Sequence, residues 1–255
     1  MAINGKKLKN DIVQWIRDWF DKNGKDCNAI VGLSGGKDSS IVAALCVEAL
    51  GRDRVIGVSI PNSAQCSDEV LAENLKVVDD VVKSLGIVCY TIPINVAYTN
   101  IAEEICKETN KTELSSQTMI NLAPRLRMAV LYAVAQSFNG RVANTSNLSE
   151  DWVGYCTRYG DTAGDFAPLN DLTVTEVKEV GYALENLLPK YFVDRTPSDD
   201  ISGKTDEENF GFTYNDLDNY LLYGICKDNN IRQAIDNKHI ANAFKFKPIP
   251  RFERK

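Results

Sequence analysis

One histidine, His239, stands in 255 residues, and that scarcity removes several kinds of chemistry at once. Multi-histidine metal sites are excluded, a Ser-His-Asp relay lacks its base, and a lone histidine reads as a surface residue. The seven cysteines, Cys27, Cys46, Cys66, Cys89, Cys106, Cys156 and Cys226, are odd in number and include no CxxC pair. They read as reduced thiols placed mostly in the core, with no zinc or iron-sulfur cluster implied. Missing too is any apolar run long enough to span a bilayer, and the opening MAINGKKLKNDIVQW holds no apolar stretch ahead of a cleavage site, so a cytoplasmic chain without membrane contact is expected. Basic residues are outnumbered, 29 Lys and Arg against 35 Asp and Glu, with a net charge of -6 and no basic stripe. Phosphate-backbone binding needs clustered cations, which argues against nucleic acid as a partner.

What is present suits an enzyme with a full core. At 44% hydrophobic and 25% charged, the chain reads as one α/β domain over residues 1–255, without repeats or low-complexity tracts. Ile12, Trp15, Ile16, Trp19 and Phe20 recur at helical spacing and predict an N-terminal amphipathic helix packed on a sheet. Strands are expected at 54–60, 88–94 and 141–145, and helices at 41–50, 68–85, 96–108 and 123–138. The last helix would hold Pro124 in its first turn, after a polar connection over 109–118. Such alternation predicts a doubly wound, mostly parallel sheet with flanking helices, which binds ligands at the carboxyl ends of its strands. Residues 199–211, DDISGKTDEENFG, are acidic and poor in apolar residues and read as a loop or lid.

The most informative segment is Ala29 to Ser40, an apolar strand that runs through Gly32, Leu33, Ser34, Gly35, Gly36, Lys37, Asp38 and Ser39 into a helix. Small residues let the backbone approach a ligand, and the first N–H groups of the helix face it, so anions bind there. Val31 stands where the commoner phosphate loop needs its first Gly, and Asp38 follows the Lys, which excludes a kinase or GTPase pattern.

This loop resembles the SGGxDS loop of ATP pyrophosphatases, enzymes of the adenine nucleotide alpha hydrolase-like fold that cut ATP between its α and β phosphates. Further along, Asn121–Met128, Asn144–Glu150, Thr157–Asp161, Asp165–Leu169 and Arg195–Asp199 resemble, in order, the motifs of the NAD synthetase family. That resemblance implies adenylation of the nicotinate carboxylate of deamido-NAD by ATP with magnesium, then displacement of AMP by ammonia. It assigns the 32–39 loop, Thr145 and Ser198 to ATP, Asp38 and Glu150 to magnesium, and Arg125, Arg158, Asp165, Tyr155 and Lys245 to deamido-NAD. Asp161 is a candidate to take the proton of ammonium. Arg158 replaces a family Lys, and a family ATP-contacting Lys falls on Val174, so that contact is missing and Lys37, Lys178 or Lys204 could supply the charge. The length leaves no room for a glutaminase domain, which points to ammonia as the nitrogen source, and family members are homodimers. Other readings are a different enzyme of the same loop class, such as a GMP synthetase core or a tRNA-modifying enzyme, and an ATP-binding module without turnover.

Overall fold

The computed structural model describes residues 3–195 and 205–254. Ser198 and Lys204 lie outside the described residues, as does the first half of the expected lid.

Four parallel strands, β1 (Asn28–Gly32), β2 (Val55–Ser59), β3 (Val88–Thr91) and β4 (Gly140–Ala143), form one sheet in the order β3-β2-β1-β4. The chain winds outward from β1 through β2 to β3, then returns to place β4 on the other side of β1. The reversal of winding opens a crevice at the carboxyl ends of β1 and β4, where open α/β sheets bind ligands. Both faces are covered. On one lie α1 (Gly5–Asn23), α2 (Lys37–Leu50), α3 (Asp68–Leu85), α7 (Val174–Tyr182) and α8 (Lys190–Val193), whose buried side chains join those of β1 in the main core. On the other, α4 (Asn95–Thr109) and α5 (Ser116–Ser137) pack over Ile30, Ile56, Val58 and Val142. Helices α6 (Leu148–Val153), α9 (Asp206–Phe210), α10 (Tyr214–Tyr223) and α11 (Asn229–Asn242) build a smaller core around Phe210, Leu217 and Ile235.

Local chemistry explains most boundaries. Ser67 caps α3 by accepting from Val70 N–H, and Gly86 ends it in the left-handed conformation. Helix α5 departs from expectation: Ser115 caps it by accepting from Thr118 N–H at 3.2 Å, so it starts well before Ala123. Pro124 therefore sits inside the helix rather than in its first turn, and the polar connection shrinks because α5 already begins at Ser116 and α4 runs on to Thr109. In α1, Ile12, Val13, Ile16 and Phe20 are buried while Trp15 is exposed, so the apolar stripe is carried by Val13 instead of Trp15.

Three further expectations are corrected. Only Cys27 and Cys46 are buried; the other five thiols are half-buried, and all seven are free. His239 is no plain surface residue: it is half-buried, stacks on Trp152 with ring centroids 4.0 Å apart, and its Nδ1 lies 2.9 Å from Trp152 O. Within the expected lid, residues 206–210 form α9, with Asp206 and Phe210 buried. The acidic run concealed this element because Thr205 and Glu208 form a capping box, which favours acids in a first helical turn.

Candidate active site

The loop after β1 is shaped by its small residues. Gly35 has φ +86°, and a Cβ there would lie 3.0 Å from Asn74 O, so the turn requires glycine. Ser34 Oγ accepts from Gly36 N–H at 3.1 Å, while Ser39 and Ser40 hydroxyls both donate back to Gly36 O. No side chain caps the N-terminus of α2, which leaves its first N–H groups directed at the crevice as an anion site. Arg195 braces the turn from the far end of the chain, donating from Nη1 to Gly35 O at 2.8 Å and from Nη2 to Asn74 Oδ1 at 3.0 Å.

Lys37 is 3% exposed and its Nζ lies 2.7 Å from Asp38 Oδ2. Burial alone would lower its pKa, but the carboxylates of Asp38, Glu150 and Asp206 outweigh that and raise it, so the ammonium is held firmly. Glu150 stands in the first turn of α6 beyond β4, and its N–H donates to the Oδ1 of the N-cap residue Asn147 at 3.0 Å. Desolvation, followed by repulsion from Asp38, pushes its carboxyl up to about 8, with Lys37 opposing and Asp206 adding to the rise. Asp38, Lys37 and Glu150, read from the sequence as site residues, are thus brought together across the β1/β4 crevice. Asp206 joins them, accepting from Tyr214 Oη at 2.9 Å; burial, and then the nearby carboxylates of Glu150 and Asp206, push the Tyr214 pKa up. Nothing in the spacing of Asp206 announced this, since only folding carries α9 back over the loop.

Of the residues assigned to the dinucleotide, Arg125, Arg158 and Lys245 meet in the segment after α6, whereas Asp165 and Tyr155 stand apart. Arg125 Nε donates to Arg158 O at 3.3 Å, and Arg158 Nη2 donates to Lys247 O at 3.0 Å while lying over the rings of Tyr159 and Phe244. Lys245 directs its ammonium at Gly154 O and Cys156 O, at 2.6 and 2.8 Å, clamping the loop after α6. Asp161 Oδ1 accepts from Thr157 N–H at 2.7 Å, and desolvation raises its pKa. Asp165 Oδ2 accepts from Val142 N–H at 2.7 Å, holding the outer edge of β4. Tyr155 packs edge-on against Phe210 at 4.8 Å and its hydroxyl accepts from Asn209, a supporting place in the smaller core. Thr145 follows β4 at the crevice, half-buried, beside the buried Asn144 and Ser146. Asn144 received no role from the sequence, yet its Nδ2 donates to Asp161 O at 2.9 Å and its Oδ1 accepts from Ser146 N–H at 2.9 Å.

Val174 is buried in the smaller core, where a Lys would be stranded. Lys178 is half-buried one turn on in α7, whereas Lys37 alone of the described alternatives meets the acid cluster. Among the described residues, no three His, Cys, Asp or Glu side chains form a ready-made metal cage. That fits a magnesium ion carried in with phosphates, which takes only one or two protein carboxylates. A buried Asp38 Oδ1 without a hydrogen-bond partner is the kind of hard oxygen such an ion accepts.

A parallel sheet with an anion-binding loop at its winding reversal, faced by paired acids and a buried lysine, defines a protein of the adenine nucleotide alpha hydrolase-like class. The NAD synthase family profile matches residues 8–253, and the chain belongs to that family. It is 33% identical over 251 residues to the NH(3)-dependent NAD(+) synthetase of Finegoldia magna, covering 96% of this chain and 98% of that protein. Among solved structures it resembles NMN synthetase from Francisella tularensis, with a TM-score of 0.84 and 30% identity over 98% of this chain and all of the other. The NH3-dependent NAD synthetase of Campylobacter jejuni, in complex with nitrate, superposes with a TM-score of 0.73 at 28% identity over 99% of this chain and 100% of that one.

Proposed function

We propose that this chain forms NAD from deamido-NAD, ATP and ammonia, with the β1/β4 crevice as the site of adenylation. The observation that carries the reading is the convergence of Lys37, Asp38 and Glu150 beside the uncapped N-terminus of α2. In this reading the Gly32–Ser39 loop and Thr145 hold ATP, with Lys37 supplying the charge absent at Val174; Ser198 keeps its assignment to ATP from sequence alone. Asp38 and Glu150 hold magnesium, which when bound neutralises the phosphates and assists departure of pyrophosphate. Lys37, buried beside Asp38, balances negative charge as the α–β bond breaks. Arg125 and Arg158 recognise the dinucleotide's phosphates or carboxylate, a task suited to fixed guanidinium groups. Asp161, with its raised pKa, accepts the proton that ammonium sheds before attack.

In this reading the protein acts as a homodimer in the cytoplasm. Support comes from the seven free thiols, which suit a reducing compartment, and from an exposed apolar strip along β3, α4 and α5 that suits a second copy. The test is a coupled assay with ATP, magnesium and deamido-NAD, run with ammonium or with glutamine as donor and, in parallel, with nicotinate mononucleotide as acceptor. NAD formation with ammonium and none with glutamine is expected. Faster turnover of the mononucleotide would move the acceptor assignment toward the reaction named for the Francisella tularensis neighbour.

A further inference from the structure

Ser149 and Asp218 form a buried polar link outside the site assigned above, being 0% and 2% exposed. Asp218 Oδ1 accepts from Ser149 Oγ at 2.6 Å, and its Oδ2 accepts from Thr175 N–H at 2.8 Å and from Thr175 Oγ1 at 2.6 Å. Ser149 Oγ in turn accepts from Val174 N–H at 3.1 Å. Asp218 has no cationic partner among the described residues; its carboxylate is met by the hydroxyls of Ser149 and Thr175 and by one backbone N–H, that of Thr175, in the first turn of α7. As scaffolding alone this is a costly arrangement, because an apolar pair of the same volume would fill the space without desolvating a carboxylate.

Its place in the fold supplies a use. Ser149 immediately precedes Glu150 in α6, a helix of six residues that has little rigidity of its own. Asn147 fixes its first turn from within the segment, and Asp218 fixes it from α10. The same stretch of chain carries Asp206 and Tyr214 to the acid cluster, so α9 and α10 are tied to the crevice at two points.

We propose that Asp218 is a positioning residue that acts through Ser149 to hold Glu150 in the orientation that receives the metal of the ATP complex. The proposal rests on the assignment of Glu150 to that metal. Its effect belongs in metal affinity rather than in the chemical step, because Asp218 touches no reacting group.

The test uses the full chain with Mn2+ as probe, its binding in the presence of ATP read by water proton relaxation. Ser149→Ala should weaken Mn2+ binding about tenfold, the scale of losses when a supporting hydrogen bond to a metal ligand is removed. Asp218→Asn should do the same, and the double variant should be no worse than either alone. Thr175→Ala, which keeps the Ser149 contact, should lower the melting temperature and leave Mn2+ binding unchanged. If Ser149→Ala binds Mn2+ like the parent while Glu150→Ala does not, the link is only structural and the proposal is overturned. Equal weakening by Thr175→Ala overturns it as well, by tracing the loss to general loosening. If Glu150→Ala itself binds Mn2+ like the parent, the metal assignment is at fault and the proposal falls with it.

Discussion

Glu150 illustrates how a residue can be identified from sequence while its physical state cannot. Its motif marked it as an acid at a strand end, but the rise of its pKa from 4.5 to about 8 follows from desolvation and from Asp38 and Asp206, which arrive from other parts of the chain. The folded protein retains a proton that the unfolded chain releases, so Glu150 makes stability fall as pH rises from about 4.5 to about 8. Glu150→Gln removes that penalty. In metal-free buffer the variant should melt close to the parent at pH 4.5 and several degrees above it at pH 8, on a scale of about 2–4 °C per kcal/mol for a chain of this size. Thermal unfolding at the two pH values checks this; a gap that does not widen with pH would mean that Glu150 ionises normally. The same variant should lose synthetase activity, since the ion needs the carboxylate.

Elements were legible where the apolar period was clear, and were missed where an acidic run or a proline gave a competing signal, even beside a good cap. The helix expected at 68–85 is α3, which Ser67 and Gly86 cap at its two ends, and the small-residue loop marked the start of α2. Pro124 concealed the first turns of α5, because proline favours a helix start but is tolerated inside when a strong cap and apolar contacts such as Met119 and Leu122 hold the preceding turn. The end of α6 offers a test at this scale. Gly154 has φ +68°, and a Cβ there would lie 2.1 Å from Asn242 Cβ in α11. Gly154→Ala should therefore cost about 2–4 kcal/mol through both backbone strain and displacement of α11. Urea unfolding would measure it, and a midpoint like the parent's would show that α6 and α11 separate freely.

At the scale of the whole molecule, the β3 edge of the sheet offers a surface for a second copy of the chain. Strand β3 lies at the sheet edge with Val88 and Tyr90 exposed, Tyr90 stacks on Phe138, and Val96, Ile101, Ile105 and Ile120 continue the apolar strip across α4 and α5. An exposed edge strand bordered by apolar side chains favours association. Sedimentation at micromolar concentration should give twice the chain mass, and Val96→Lys with Ile101→Lys should shift it toward the monomer. A monomeric parent would withdraw the dimer.

Hydrophobic periodicity and the strand-loop-helix at Gly32–Ser39 were enough to define a parallel, doubly wound sheet and to point at its carboxyl ends, because helix and strand periods and glycine's conformational range are local properties of the chain. The partners of those residues are not local. Arg195 reaches Gly35 across 160 residues and Asp218 reaches Ser149 across 69, while Asp206 lies in a run that looked like solvent-exposed loop. Asp206 and Asp218 come into place only when α9 and α10 pack against the crevice, and with Asp206 comes part of the setting that raises Glu150 and confines Lys37. A side chain's charge state depends on what surrounds it in space, and that environment exists only once the chain is folded.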